Sequence, residues 1–442
     1  CCSITGWSSG AAEPVGNDHG VPTQPDDDEL LLIRQSGVVL RAGLLSLSAG
    51  TGSYRVKETM ARIAAALGID RHHAQVTLTE ITSTSHRGRS FRTEVAEVAT
   101  VGVNASRLAA LEALSVEVER RPRPVPVDVV ADALDRIEGQ PPRFGVLLGG
   151  LWAGLACAAF CFLIGGGPYE VAGALLGGWA GQLVRRLLLG RHFNHFGATI
   201  VAAAAACFIF LGFVESLRLI DEPVAAHQAG YVAAVLFLIP GFPLVTAGLD
   251  LARLDLSAGV ARLTYAVLIA LSAALAVWAV AIAFDLTPAT LPGPVLSLPV
   301  LIPLQAAASF AGVAGFALMF NGTWRMALAA GLIGMVANVL RLELVRLEVP
   351  PQAAAALAAL LVGLLTAAAG PMLRVPRITL SVPAVLVMVP GVLLYRGVYA
   401  VSQGDAAAAV GTFAQAALVT MALPIGLALA RMLTDRRWAF AR

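Results

Sequence analysis

Between Leu236 and Arg262 the chain reads LFLIPGFPLVTAGLDLARLDLSAGVAR, an apolar stretch that breaks at Pro240-Gly241 and then carries Asp250, Arg253, Asp255 and Arg262. An acid or base at the centre of a bilayer costs about 2.5–3.5 kcal/mol on insertion scales, so such residues persist at interfaces, in aqueous cavities or in working sites. Asp255 is suited to carry a proton or hold a substrate ammonium, and Arg262 offers a planar fork to a carboxylate. Asp250 and Arg253, three apart on a helix, read as an ion pair in an interfacial segment. Pro240 has no N–H to donate and crowds the preceding turn, which frees carbonyls to face a ligand or ion. IPGFPLVTAG at 239–248 returns as VPGVLLYRG at 389–397, so Pro390-Gly391 echoes Pro240-Gly241. GQLVRRL at 181–187 returns as ANVLRLE at 337–343, matching Gln182 and Arg185 with Asn338 and Arg341. These four lie near span ends, where snorkelling to the interface explains a polar side chain, and with Asp250 they form a second rank of candidates.

The surroundings are apolar. Of 442 residues 57% are hydrophobic and the mean hydropathy is +0.75, far above a soluble domain, so the chain reads as a polytopic α-helical membrane protein. Of its 60 charged residues 33 fall in the first 143 positions, which places a polar domain ahead of a membrane domain. A net charge of +2, with no basic run interleaved with aromatics, excludes nucleic acid as a partner. Cys157, Cys161 and Cys207 lie in apolar segments and imply no disulfide.

Residues 1–28 lack apolar periodicity and read as a disordered tail; GWSSG at 6–10 has neither the strand nor the helix a nucleophile motif needs. Residues 29–143 read as a small cytosolic α+β domain. Its second helix buries Val56, Met60, Ile63 and Leu67 and stops at Gly68, and Gly50-Thr51-Gly52-Ser53 is the turn before it, with Ser53 as cap. Strands are expected over Ala74–Thr82 and Ser90–Val98, with a turn at His86-Arg87-Gly88, and His72 and His73 in an exposed turn. Asn104 caps the next helix. No spacing here marks a triad, a metal centre or a phosphate loop, so no cofactor, metal or catalytic residue is assigned.

Ten apolar stretches approach the ~20 residues of a span. They lie near 144–164, 169–189, 196–214, 226–243, 259–283, 295–318, 324–341, 352–370, 380–396 and 407–431. With both termini inside, twelve arginines fall on the inner side, against Arg218, Arg341, Arg346 and Arg396 outside, as the positive-inside rule asks. The echoes pair span two with seven and four with nine. That is a duplication of five spans, 144–284 and 285–442, and an odd number of spans inverts the second copy. Inverted repeats with Gly/Pro-broken helices at matching positions point to a midplane site in a secondary transporter, here Pro240, Gly241, Pro390, Gly391, Asp255 and Arg262.

The runs SAGTGSYRVKETMARIAAALG (48–68), VNASRLAALEAL (103–114) and above all IPGFPLVTAGLDLARLDLSAGVARLTYA (239–266) resemble the bacterial threonine/serine exporter family. The resemblance covers the chain from about residue 30, and its second half rests on Val389-Pro390-Gly391 and the span count. It implies export of L-threonine and L-serine driven by the proton gradient. Related two-subunit systems are implicated in dicarboxylate export. Lys57 stands where the family's first motif leads one to expect an acid, while Arg55 and Glu58 keep the pattern.

The expectation is a ten-span exporter of small hydroxy amino acids in a bacterial inner membrane, rocking two inverted halves and exchanging substrate for protons. Its partners are threonine or serine, protons and the lipid bilayer, with homo-oligomerisation left open. The rivals are a dicarboxylate exporter, which an excess of site arginines over carboxylates would favour, and a membrane-tethered enzyme or sensor acting through residues 30–140.

Overall fold

A computed structural model describes residues 27–98, 102–220, 228–286 and 296–440. The expected tail therefore lies outside the described residues, save Asp27 and Asp28, which begin a helix.

The polar part opens with α1 (Asp27–Ser48) and α2 (Ser53–Ala66), continues through β1 (Arg71–Val76), β2 (Glu80–Arg87) and β3 (Ser90–Glu97), and ends with α3 (Ala105–Glu119) and α4 (Val127–Glu138). Val56, Met60, Ile63 and Leu67 are fully buried, as the helical spacing requires, and meet Val39, Val76, Ile81, Leu111 and Leu134 in one core. Asn104 Oδ1 accepts from Arg107 N at 3.1 Å and caps α3. The sheet is an antiparallel meander in the order β1-β2-β3, one strand more than expected. The run Ala74–Thr82 is interrupted because Thr77 Oγ1 accepts from Glu80 N at 3.1 Å and closes a turn. His86 and Arg87 belong to β2, and the tight turn is Gly88-Arg89, with Gly88 at φ 57°. His72 and His73 lie in β1 rather than in a turn. His72 Nδ1 is 3.0 Å from Ser85 Oγ, and burial, with neighbouring His73, lowers its pKa to about 4.

The apolar part comprises α5 (Val146–Leu163), α6 (Pro168–Gly190), α7 (His195–Ser216), a 3-10 segment (Gln228–Leu238), α8 (Gly241–Ala252) and α9 (Leu256–Ala283). A second series follows: α10 (Leu298–Met319), α11 (Trp324–Arg346), α12 (Pro351–Leu373), α13 (Arg377–Leu386), α14 (Gly391–Ser402), α15 (Ala406–Thr434) and the short α16 (Arg436–Ala439). Among the described residues eight helices are long and apolar enough to cross a membrane, or ten spans if each bent pair is one. The bends are 56° between the 3-10 segment and α8, and 47° between α13 and α14. The eight include α1 but not α6, which carries Glu170, Arg185 and Arg186. The apolar face of α1 is already occupied, by α2, α3, α4, β2 and β3.

The two apolar series match in detail. α8 and α14 are both 12 residues long and follow prolines of the same conformation, Pro240 at φ −79°, ψ 53° and Pro390 at φ −83°, ψ 58°. Both run into a left-handed residue, Leu254 at φ 60° and Gly404 at φ 75°, after which Asp255 and Asp405 open α9 and α15. The packing matches as well. α5 on α6, α6 on α7 and α7 on α9 correspond to α10 on α11, α11 on α12 and α12 on α15, while α8 packs on α15 and α14 on α9.

Candidate functional site

The two Pro-Gly breaks face each other. A Cβ added at Gly241 would sit 1.7 Å from Leu386 Cδ1, and one at Gly391 would sit 2.0 Å from Ile239 Cδ1. Each glycine thus lets the segment before the opposite break pass against its backbone. Nearby, the hydroxyls of Tyr231 and Tyr395 hydrogen-bond to each other in the core, one from each series.

Beside the first break lies a cavity of about 250 Å³. Its wall includes Pro240, Gly241 and Thr246, Gln182, Arg185 and Arg186 of α6, and Arg262 and Tyr265 of α9. Its remaining side is closed by the polar part, through Leu47, Gly50, Leu78 and Val103. Among the described residues, three arginines and no carboxylate line it. Three buried polar atoms of the lining have no hydrogen-bond partner among the described residues: Nε of Arg262, which faces the Asp250 carboxylate, and two that face no charge partner, Nη2 of Arg262, a cationic donor, and Oε1 of Gln182, a neutral acceptor. Buried polar atoms left unmatched are uncommon and costly, and a polar ligand in this cavity would match the last two.

Sequence spacing misassigned Asp250. It is fully buried, and its Oδ2 lies 3.3 Å from Nε of Arg262, close enough for charge but misaligned for a hydrogen bond. Arg253 instead rests over the Trp438 ring at 5.1 Å, because α8 ends there and the chain turns through Leu254. Arg262 Nη1 donates to the Thr51 carbonyl at 2.7 Å. Ser53 is not the α2 cap. Gly52 holds that position without a side-chain bond, and a Cβ there would come within 2.9 Å of Asp250 Oδ1. Through the Ser53 hydroxyl, a carboxylate of the membrane part stands at the positive end of α2. The Ser53 hydroxyl lies 3.1 Å from Asp250 Oδ1 and 2.5 Å from Asp255 Oδ2.

Asp255 is not on the cavity wall. It pairs with Lys57 Nζ at 2.6 Å in a separate cleft of about 410 Å³ beside Tyr54, Arg253 and Trp438. Lys57, out of pattern with the resemblance, thereby joins the two parts. Asn338 does not snorkel; it is fully buried, donating to Ser309 Oγ at 2.8 Å and accepting from Arg341 Nε at 2.9 Å. Neither residue, nor Pro390 or Gly391, lines the cavity, which gathers Gln182, Arg185, Pro240, Gly241 and Arg262. Thr51, Ser53 and Lys57 were missed as site residues, since their partners lie some 200 positions away in the chain. Thr246 and Tyr265 were missed although both lie in the marked run 239–266, because a lone hydroxyl in an apolar helix carries no charge to single it out.

The family model ThrE, of threonine/serine exporters, matches residues 37–284, and a second, "Threonine/Serine exporter, ThrE", matches residues 305–433. The chain belongs to the threonine/serine exporter family. It is a membrane exporter by that membership. Two curated relatives are similar, both named "Probable succinate transporter subunit YjjP". That of Escherichia coli (strain K12) is 26% identical over 245 residues, 54% of this chain and 93% of the relative. That of Klebsiella aerogenes is 26% identical over 238 residues, 54% of this chain and 89% of the relative. No solved structure matches the chain.

Proposed function

We propose that the protein is a secondary exporter of small carboxylates, L-threonine and L-serine first among them, exchanging substrate for protons across a bacterial inner membrane. The observation that carries this is the cavity at the first break, where Arg262 Nη2 and Gln182 Oε1 stand unmatched. The arginine takes the substrate carboxylate; the amide oxygen takes its ammonium or hydroxyl. Two five-span halves related by an in-plane pseudo-two-fold axis would move against each other around this point. The matched lengths, caps and packing of the two series support that symmetry. The polar part, cytosolic along with both termini, closes the cavity from its side. Cytosolic access then requires the Thr51 carbonyl to leave Arg262.

Proton exchange needs a carboxylate whose protonation alters its hold on the arginine that takes the substrate. Asp250, in charge contact with Arg262, and Asp255, five residues on, are the carboxylates at that end. The lining also favours a second reading. Three arginines with no acid suit a dicarboxylate, and the curated relatives carry that substrate in their names.

Counterflow of labelled threonine in proteoliposomes, with and without a pH step, tests the first reading. Acceleration by the pH step, lost in both Asp250→Asn and Asp255→Asn, is the outcome expected. Succinate that competes with threonine, or exchanges in its place, moves the assignment to dicarboxylates. Absence of exchange with either compound overturns both.

A further inference from the structure

On the far side of the contact between the polar and apolar parts lies a larger cleft, about 880 Å³, that the transport cycle above does not use. From the polar part it is lined by Arg55, Arg120 and Arg121, and from the second series by Arg374, Arg377 and Arg431. Two acids, Glu112 and Glu117, share the lining, and both are already engaged. Glu112 accepts from Arg55 at 2.8 Å and from Arg62 at 3.4 Å, and Glu117 pairs with Arg121. Arg377 donates to Thr434 Oγ1 at 2.7 Å, and Arg431 lies over the rings of Tyr54 and Trp438, its Nη2 3.8 Å from Asp435 outside the lining and its Nε buried and without a hydrogen bond among the described residues. Arg374 closes α12 in the left-handed conformation at φ 55°, a place glycine or asparagine usually takes, and its side chain is exposed at the rim. Cationic charge therefore exceeds acidic charge from both walls, across a gap that no described side chain fills.

We infer that this cleft binds a phosphate-bearing anion that bridges the α2–α3 wall to the α12–α15 wall and holds the polar part docked. Guanidinium forks suit phosphate oxygens geometrically as well as by charge. α12 is long and apolar enough to span and ends at the cleft, so an anionic lipid headgroup can reach it; a free phosphate can enter from water. Both share the recognised chemistry.

The test uses the purified full-length protein. Inorganic phosphate is titrated in detergent, and thermal stability is compared in nanodiscs of phosphatidylcholine with and without phosphatidylglycerol. The variants are Arg120→Gln with Arg374→Asn, and Arg325→Gln, an exposed arginine outside the cleft, as control. Stabilisation by phosphate identifies a soluble ligand, and stabilisation by phosphatidylglycerol alone identifies a headgroup. In either arm the cleft variant is expected to weaken the response about tenfold, and the control to leave it unchanged. No response in either arm, or an equal loss in Arg325→Gln, would overturn the inference.

Discussion

Arg262 is held between two demands. Its Nη1 serves the Thr51 carbonyl, its Nε faces Asp250, and its Nη2 is unmatched beside the cavity. Removing one member of a buried charge pair leaves the other uncompensated and costs about 3–5 kcal/mol, whereas removing both charges together is far milder. Arg262→Gln should therefore lower the thermal midpoint of the purified protein sharply, and Asp250→Asn added to it should recover much of the loss. If the double variant melts no higher than the single one, the two side chains are not energetically paired. A second residue-scale expectation concerns acid. The folded pKa of His72, about 4, lies below the ordinary value of 6.5, so the unfolded chain takes up a proton that the folded chain refuses. Its stabilising contribution is complete above pH 6.5 and declines as pH falls from there towards 4. His72→Gln should flatten that part of the stability profile, and an unchanged slope would remove His72 as its cause.

At the scale of elements, the two breaks behave as one device. The methyl of Gly241→Ala would have to displace Leu386, an overpacking that costs about 1–3 kcal/mol, and Leu386→Ala should relieve it. Thermal melts of the single and paired variants check this; equal destabilisation by both would place the strain elsewhere. The breaks were legible in the sequence because proline and glycine act locally, and their recurrence 150 positions later is visible without coordinates. What the sequence could not show is that the glycines face the opposite segments, since a crossing is a tertiary contact. The missed strand has a local cause, a threonine side chain closing a turn inside a β-rich run. Gln182 and Arg185 were ranked low because a polar residue near a span end has an ordinary explanation. Only the cavity separates them from Asn338 and Arg341, which bond to each other instead.

For the whole molecule, the polar part is a wall of the candidate cavity. Ala49, Ala105 and Leu108 are buried with the core of the apolar part, Ser106 Oγ donates to the Asn321 carbonyl at 2.6 Å, and Lys57 reaches Asp255. None of these pairs was legible, because each joins residues some 200 positions apart, while the family resemblance and the class of fold were carried by contiguous runs. Breaking the link with Lys57→Glu should raise hydrogen exchange in the first turns of α2, and Lys57→Glu with Asp255→Lys should restore protection. Unchanged exchange in the single variant would mean that Lys57 does not help to hold the two parts together.

Substrate binding in the cavity beside the first break is tested by threonine counterflow with Arg185→Gln alongside Arg325→Gln. Arg185→Gln should lose about tenfold in exchange at an unchanged thermal midpoint, with Arg325→Gln exchanging like the native protein. Native exchange by a folded Arg185→Gln protein would contradict it.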